Sequence, residues 1–212
     1  MSKFRRQLMM VNTGAAPVPV LPYDAEIEYI QTDGAAYINT SIKPSSNTTF
    51  EIDTYIPNHG STAFWVFGSR VSGSAGQFAY LNDGGLDRKN YRFGNQSSFA
   101  SEKLAEGWHH FDNTATPRTL IIDTNITLTA TANTFAQTNY PIYLLCLNVN
   151  GTASAPATGA RLGDVKIYES GELVFDGFPV RKDGVGYLYD RVTETLFGNA
   201  GAGGFILGND KN

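Results

Sequence analysis

Three features of this 212-residue chain predict an all-β fold. Ser, Thr, Asn and Gly together supply 71 positions, a mixture that weakens helix interiors and suits strands and turns. From Ala25 onward, short apolar or alternating segments recur between turn residues, and no stretch keeps a helical period. Hydrophobic residues make up 42% and aromatics 12%, enough for a real core in one domain. About a dozen strands without crossover helices fold most economically as an antiparallel two-sheet sandwich, a jelly roll.

Residues 1–23 come first and read as an extended N-terminal arm. Lys3, Arg5 and Arg6 precede Leu8-Met9-Met10-Val11, but Asn12-Thr13-Gly14 ends the apolar run after four residues, too short for a secretory signal. Pro17, Pro19 and Pro22 then favour a polyproline-type path. The body, residues 24–212, opens with Glu26–Gln31 and Ala35–Asn39 around a tight turn at Thr32-Asp33-Gly34. Thr49–Ile56 alternates cleanly, with Phe50, Ile52 and Ile56 on one face and Glu51, Asp53 and Tyr55 on the other. Ala63–Phe67 is apolar on both faces, which suits a strand covered on both sides or at an oligomer contact. Gln77–Leu81, Tyr91–Gly94, Trp108–Asn113 and Thr119–Asp123 continue the series. Ile142–Val149 reads as one strand with Tyr143, Leu145, Leu147 and Val149 on a shared face. Val165–Tyr168 and Leu173–Phe175 flank Glu169-Ser170-Gly171-Glu172, a hairpin signal. Gly186–Tyr189, Thr195–Phe197 and Phe205–Leu207 close the chain.

Net charge is −4, unevenly spread: the first ten residues carry +3, and the remainder holds 13 basic against 20 acidic residues, −7. An acidic body disfavours nucleic acid as its partner, because phosphate backbones require a Lys/Arg surface. No apolar run reaches a membrane span, and the single Cys146 makes neither an intrachain disulfide nor a structural zinc site.

The run Glu28-Tyr-Ile-Gln-Thr-Asp-Gly-Ala-Ala-Tyr-Ile-Asn-Thr-Ser-Ile, the Phe50-Glu-Ile-Asp-Thr strand, Gly107-Trp-His-His with Arg118-Thr-Leu-Ile-Ile-Asp, and Gly163-Asp-Val-Lys-Ile-Tyr-Glu-Ser-Gly-Glu-Leu-Val resemble the concanavalin A-like, laminin-G-like jelly-roll family. The resemblance spans Ala25 to Gly208. Phe178-Pro-Val-Arg, Gly186-Tyr-Leu-Tyr-Asp and Phe197-Gly-Asn-Ala-Gly-Ala-Gly-Gly-Phe are similar to a subgroup found in surface proteins of gut Bacteroidetes and in their phages. The leader Met1-Ser-Lys-Phe-Arg-Arg-Gln-Leu-Met-Met resembles leaders of virion proteins of such phages, crAss-like ones included. The resemblance implies carbohydrate or protein binding on cell or particle surfaces, usually without catalysis.

The candidate sites follow. Glu51-Ile52-Asp53 places two carboxylates on one strand face, about 6.5–7 Å apart, like the opening of the Glu-x-Asp motif of laminarinase-type jelly-roll glycosidases. The second Glu that such hydrolysis requires is replaced by Tyr55, so a solvated strand face is expected. His109 and His110 point to opposite faces and do not chelate one ion; His59 is the third histidine. Asn82, Asp83, Asp87 and Asn90 put oxygen donors in a glycine-containing loop, with Asp83 and Asp87 as calcium candidates against ordinary turn chemistry. Gly198–Gly204 reads as a flexible hairpin loop, and Cys146 as a buried thiol. Tyr55, Tyr80, Tyr91 and Trp108 are the aromatics available to stack on sugars.

The expected function is that of a non-enzymatic structural protein on the exterior of a phage particle, a head fibre or capsid decoration, made without a signal peptide. Lys3, Phe4, Arg5, Arg6, Leu8, Met9 and Met10 would anchor it to capsid or other virion proteins. A dimer or trimer would raise the avidity of so short an arm, and the jelly roll would help adhesion to host-surface glycans. The alternatives are a lectin-like module of a bacterial surface protein and, more distantly, a glycoside hydrolase. Neither a cofactor, nor nucleic acid, nor a membrane is expected.

Overall fold

A computed structural model describes residues 21–71, 76–131, 134–154, 156 and 158–211. The arm residues from Lys3 to Met10 lie outside the described residues. The described part of the 1–23 segment is already docked: the Tyr23 ring packs on Phe178 and Tyr189 at 5.8 and 5.2 Å, and its hydroxyl donates to Glu26 Oε1.

No helix occurs among the described residues. The first strands are β1 (Ala25–Glu26), β2 (Ile30–Thr32), β3 (Ile38–Asn39), β4 (Thr48–Ile56), β5 (Ala63–Arg70) and β6 (Gln77–Asp83). They are followed by β7 (Arg88–Gly94), β8 (Gln96–Ser101), β9 (Gly107–Asp112), β10 (Thr119–Ile122), β11 (Ile126–Thr129), β12 (Tyr143–Leu144) and β13 (Leu147–Val149). The last are β14 (Thr152–Ser154), β15 (Arg161–Glu169), β16 (Glu172–Lys182), β17 (Val185–Asp190), β18 (Thr195–Phe197) and β19 (Phe205–Leu207). They form two sheets of a jelly-roll-like sandwich. The larger runs β11-β10-β9-β4-β15-β16-β17-β18, with β1, β2 and β19 attached; the smaller runs β14-β13-β5-β6-β7-β8, with β3 and β12 attached. Every pairing is antiparallel except β13 on β5.

The core lies between the sheets, where Phe50, Ile52, Phe111, Leu162 and Val165 of the larger sheet meet Phe67, Phe78, Tyr80 and Tyr91 of the smaller. Asn150-Gly151, Ser170-Gly171 and Asp183-Gly184 carry positive φ at both positions and close two-residue hairpins, the turn geometry whose twist matches that of the strands.

Two expectations change, at Ile142–Val149 and Gly198–Gly204, and two others are made specific. The Thr32–Gly34 turn does not close a hairpin: β2 pairs with β15 and β19 while β3 pairs with β12, so the chain crosses between sheets there. Ile142–Val149 is not one strand. Leu145 is left-handed at φ 66° and its N–H donates to Val66 O; the chain reverses, so Leu145 joins the main core while Leu147 joins a second cluster with Trp65, Ala79 and Leu81 on the outer face of the smaller sheet. Of the two readings of Ala63–Phe67, the strand covered on both sides holds: Phe64 to Phe67 are buried within one chain, and Ala63 is exposed. Gly198–Gly204 is no hairpin loop either: Asn199 Oδ1 accepts from the N–H groups of Tyr37 and Gly201, and Asp33 Oδ2 accepts from Gly204 N. A Cβ at Gly201 or Gly203 would run into Ala35 O or the Asp33 carboxylate. Cys146 is buried, as expected, and burial pushes its thiol up to about 12.

Candidate functional site: a groove on the outer face of the larger sheet

Period-two alternation in β4 sends Phe50, Ile52, Thr54 and Ile56 inward and Glu51, Asp53 and Tyr55 outward. In the neighbouring β9, Trp108 stands opposite Tyr55, His110 opposite Asp53 and Asp112 opposite Glu51. On the other flank, β15 places Arg161 opposite Tyr55 and Lys166 opposite Glu51; between them its register slips, so that Gly163 and Asp164 both face Asp53. This bulge re-aims a carboxylate over the middle of the sheet.

One end of the outer face is aromatic. The Arg161 guanidinium lies 4.5 Å from the Tyr29 ring centre and 4.6 Å from that of Tyr55, and its Nε donates to Gln31. The Trp108 ring centre lies 6.2 Å from that of Tyr29 and 5.9 Å from that of Tyr55. Trp108 remains 46% exposed. Gly163 makes room for it: a Cβ there would lie 3.4 Å from the indole and 3.2 Å from Asp53 Cβ.

Below the indole opens a groove of about 450 Å³ walled by Glu28, Asp53, Asp123 and Asp164, with His109, His110 and Lys211 among them. The carboxylates are partnered. His110 Nδ1 is 2.7 Å from Asp53 Oδ1, and Asp164 pairs with Lys211 at 3.6 Å. Asp123 lies 2.6 Å from His109 Nδ1, and its other oxygen accepts the His110 N–H; Glu28 accepts from Asn209. Further along, Glu51 accepts from the Tyr168 hydroxyl at 2.6 Å, which pushes that phenol up to about 12, and faces Lys166. Beside the indole, the Tyr55 hydroxyl donates to Glu106, raising its own pKa. The groove thus combines an apolar ring at its mouth with a few convergent polar groups.

Trp108 and Tyr55 are thus brought together, along with Asp53 and both adjacent histidines. The rings of His109 and His110 leave β9 on opposite sides, each toward its own carboxylate, and both line the groove. Among the described residues no group of three His, Cys, Asp or Glu could hold a metal ion. Glu51 and Asp53 lie on the solvated outer face, and each has a surface partner.

Tyr80 and Tyr91 are corrected: both are fully buried and reach no sugar. They face inward on β6 and β7, where burial raises both phenols. Tyr80 packs on Phe111 and Phe67, and Tyr91 donates to Pro117 O. The calcium candidates Asp83 and Asp87 have protein partners: Asp83 accepts from the Leu86 N–H and from Arg88, and Asp87 accepts from the Lys103 N–H. Asn82 and Asn90 sit on opposite faces of the smaller sheet. Asn82 instead bridges His59 and the Leu104 N–H, and burial lowers the pKa of His59.

Tyr29, Arg161, Asp123, Asp164 and Lys211 were not anticipated. Only the bulge had a sequence signal, a glycine at position 163 inside a strand pattern. No protein-family model matches the chain, and no curated protein matches it significantly.

Proposed function

We propose that this chain is a non-enzymatic glycan-binding jelly-roll protein displayed on the exterior of a phage particle, as a head fibre or capsid decoration. The observation that carries the binding half is the half-exposed Trp108 standing over Gly163 at the mouth of a groove walled by carboxylates and imidazoles. Such an indole offers an apolar plane to a sugar ring, and the acids below accept hydrogen bonds from its hydroxyls. The carboxylates favour neutral sugars over acidic ones. Tyr55 in place of the second acid, with Glu51 and Asp53 already partnered, argues for binding rather than hydrolysis. The virion half rests on the resemblance of residues 1–10 and of the closing Phe178–Phe205 pattern.

Each half has its own test. On an array of neutral and acidic glycans, the full chain is expected to retain neutral oligosaccharides and Trp108→Ala to lose them by about tenfold or more; an array without neutral hits refutes the groove. Deleting residues 1–20, which spares the Tyr23 anchor, is expected to abolish incorporation into particles, and undiminished incorporation refutes the attachment.

A further inference from the structure

The outer face of the smaller sheet has the opposite character. Alternation in β7 buries Tyr91 and Phe93 and turns Arg88, Asn90 and Arg92 outward. Asn90 stands between Leu81 and Phe99, Arg92 between Ala79 and Ser97, and Arg88 between Asp83 and Ser101. Arg70, opposite Gln77 on β5, adds a third guanidinium to the face. The Arg92 guanidinium lies 4.9 Å from the Trp65 ring centre and donates to Gln77 Oε1, while that of Arg88 lies 4.4 Å from the Phe99 ring centre. These aromatic supports hold planar donors in fixed orientations.

Two deficits coincide here. Asp83 pairs with Arg88 at 3.2 Å, but among the described residues neither Arg70 nor Arg92 has an ion-pair partner. Burial and the nearness of Arg70 and Arg88 pull the Arg92 guanidinium below its ordinary pKa. Asn90, fully buried between Arg88 and Arg92, has no hydrogen-bond partner for either amide atom, and the Nε atoms of Arg70 and Arg92 also lack one. A buried amide left so is costly, and so is a group of cations without an anion. An oxyanion over Asn90 accepts from its Nδ2 and offsets the cations, while Oδ1, an acceptor, calls for a donor such as a sugar hydroxyl.

We propose that this face is a second binding site, for an acidic saccharide whose carboxylate sits between Arg88 and Arg92 over Asn90. The planar N–H fork of a guanidinium matches the two oxygens of a carboxylate. Phe99, 51% exposed beside them, offers the apolar plane that a sugar ring uses and an acidic peptide does not require. The Ser97 and Ser101 hydroxyls on the adjoining edge strand suit a polyol. The site does not depend on the Trp108 groove, which lies on the other sheet.

Calorimetry on the full chain at low salt tests this with four probes: tetragalacturonic acid, its methyl ester, inorganic sulfate and hexaglutamate. The acid is expected to bind at least about tenfold more tightly than the ester, with a comparable loss in Arg92→Gln and no change in Trp108→Ala. Asn90→Asp supplies an internal carboxylate, so it is expected to abolish binding while raising the thermal midpoint, which separates lost binding from lost fold. The proposal is overturned if the ester binds equally well, if binding follows Trp108 rather than Arg92, or if Asn90→Asp lowers the midpoint. Hexaglutamate binding as tightly as the saccharide would make the face a protein-docking surface instead, and sulfate binding alone would reduce it to a simple anion site.

Discussion

On the larger sheet Trp108 stands half in solvent above Glu28, Asp53, Asp123 and Asp164; on the smaller sheet Trp65 is only 8% exposed, close beneath Arg92. Both indoles leave their strands on the outer side of the sandwich, so exposure is set by what surrounds each ring and not by which way it points. Around Trp65, Ala79, Leu81 and Leu147 make a second small core. Around Trp108 there is a bulge and a glycine, and the ring is held at its edges by Tyr29 and Tyr55. One indole belongs to a core and the other stands half in solvent.

The largest effect that divides the two faces is on stability. Trp65→Ala empties the second core and is expected to cost about 3–5 kcal/mol, whereas Trp108→Ala is expected to cost about 1 kcal/mol or less. Urea unfolding of the two variants, followed by circular dichroism, measures both. If Trp108→Ala proves as damaging as Trp65→Ala, the indole is a structural support and the groove loses its main argument.

How much of this contrast was legible in the sequence depends on alternation. The Thr49–Ile56 strand alternates without a break, so Asp53 and Tyr55 are placed on one face by residue order alone, and Trp108–Asn113 is read as a strand, although its pairing with Thr49–Ile56 is long-range and left no local mark. The Gln77–Leu81 strand could not be read that way: Phe78, Ala79, Tyr80 and Leu81 are apolar at every position, so nothing local indicates that Phe78 and Tyr80 face the core while Ala79 and Leu81 face out. Tyr80 therefore reads as available to a sugar as easily as buried, and Tyr91, between Asn90 and Arg92, likewise gives no local sign that it faces the core. Asp164, Arg161 and Lys211 needed the register between β4 and β15 and the docking of the chain's end, both of which are long-range. The reversal at Leu145 was hidden because a left-handed leucine leaves no mark on an apolar run.

A middle-sized effect tests the interior between the two faces. The Tyr91 hydroxyl donates to Pro117 O and accepts from Asn113 Nδ2, while the equally buried Tyr80 hydroxyl has no partner. Tyr91→Phe removes two buried hydrogen bonds but leaves Asn113 Nδ2 donating to Pro117 O, and is expected to cost about 1 kcal/mol, whereas Tyr80→Phe is expected to be neutral or slightly stabilising. Thermal unfolding of the pair checks this. Equal losses would mean that the Tyr80 hydroxyl is satisfied, and that Asn90, whose amide is unpartnered in the same sheet, is no longer a pointer to a ligand.

The smallest effect separates the sheets by pH. At the end of β2 in the larger sheet, Asp33 accepts N–H groups from Gly204, Ala35 and Ala36, which hold its carboxyl below the ordinary carboxylate range. A carboxylate whose pKa is lower folded than unfolded stabilises the fold above the unfolded value, about 3.9, and loses that contribution as pH falls through the folded value. The tie between Asp33 and the 198–204 loop is therefore expected to hold at neutral pH and to loosen only in strong acid. Amide nitrogen shifts of Ala35 and Gly204, followed by NMR as pH is lowered, should move together below the ordinary carboxylate range. In Asp33→Asn that titration should vanish, while the Phe78 and Phe93 amides in the interior of the other sheet keep their positions throughout. Movement of those phenylalanine amides in step with Gly204 would mean that the two sheets respond to acid as one unit.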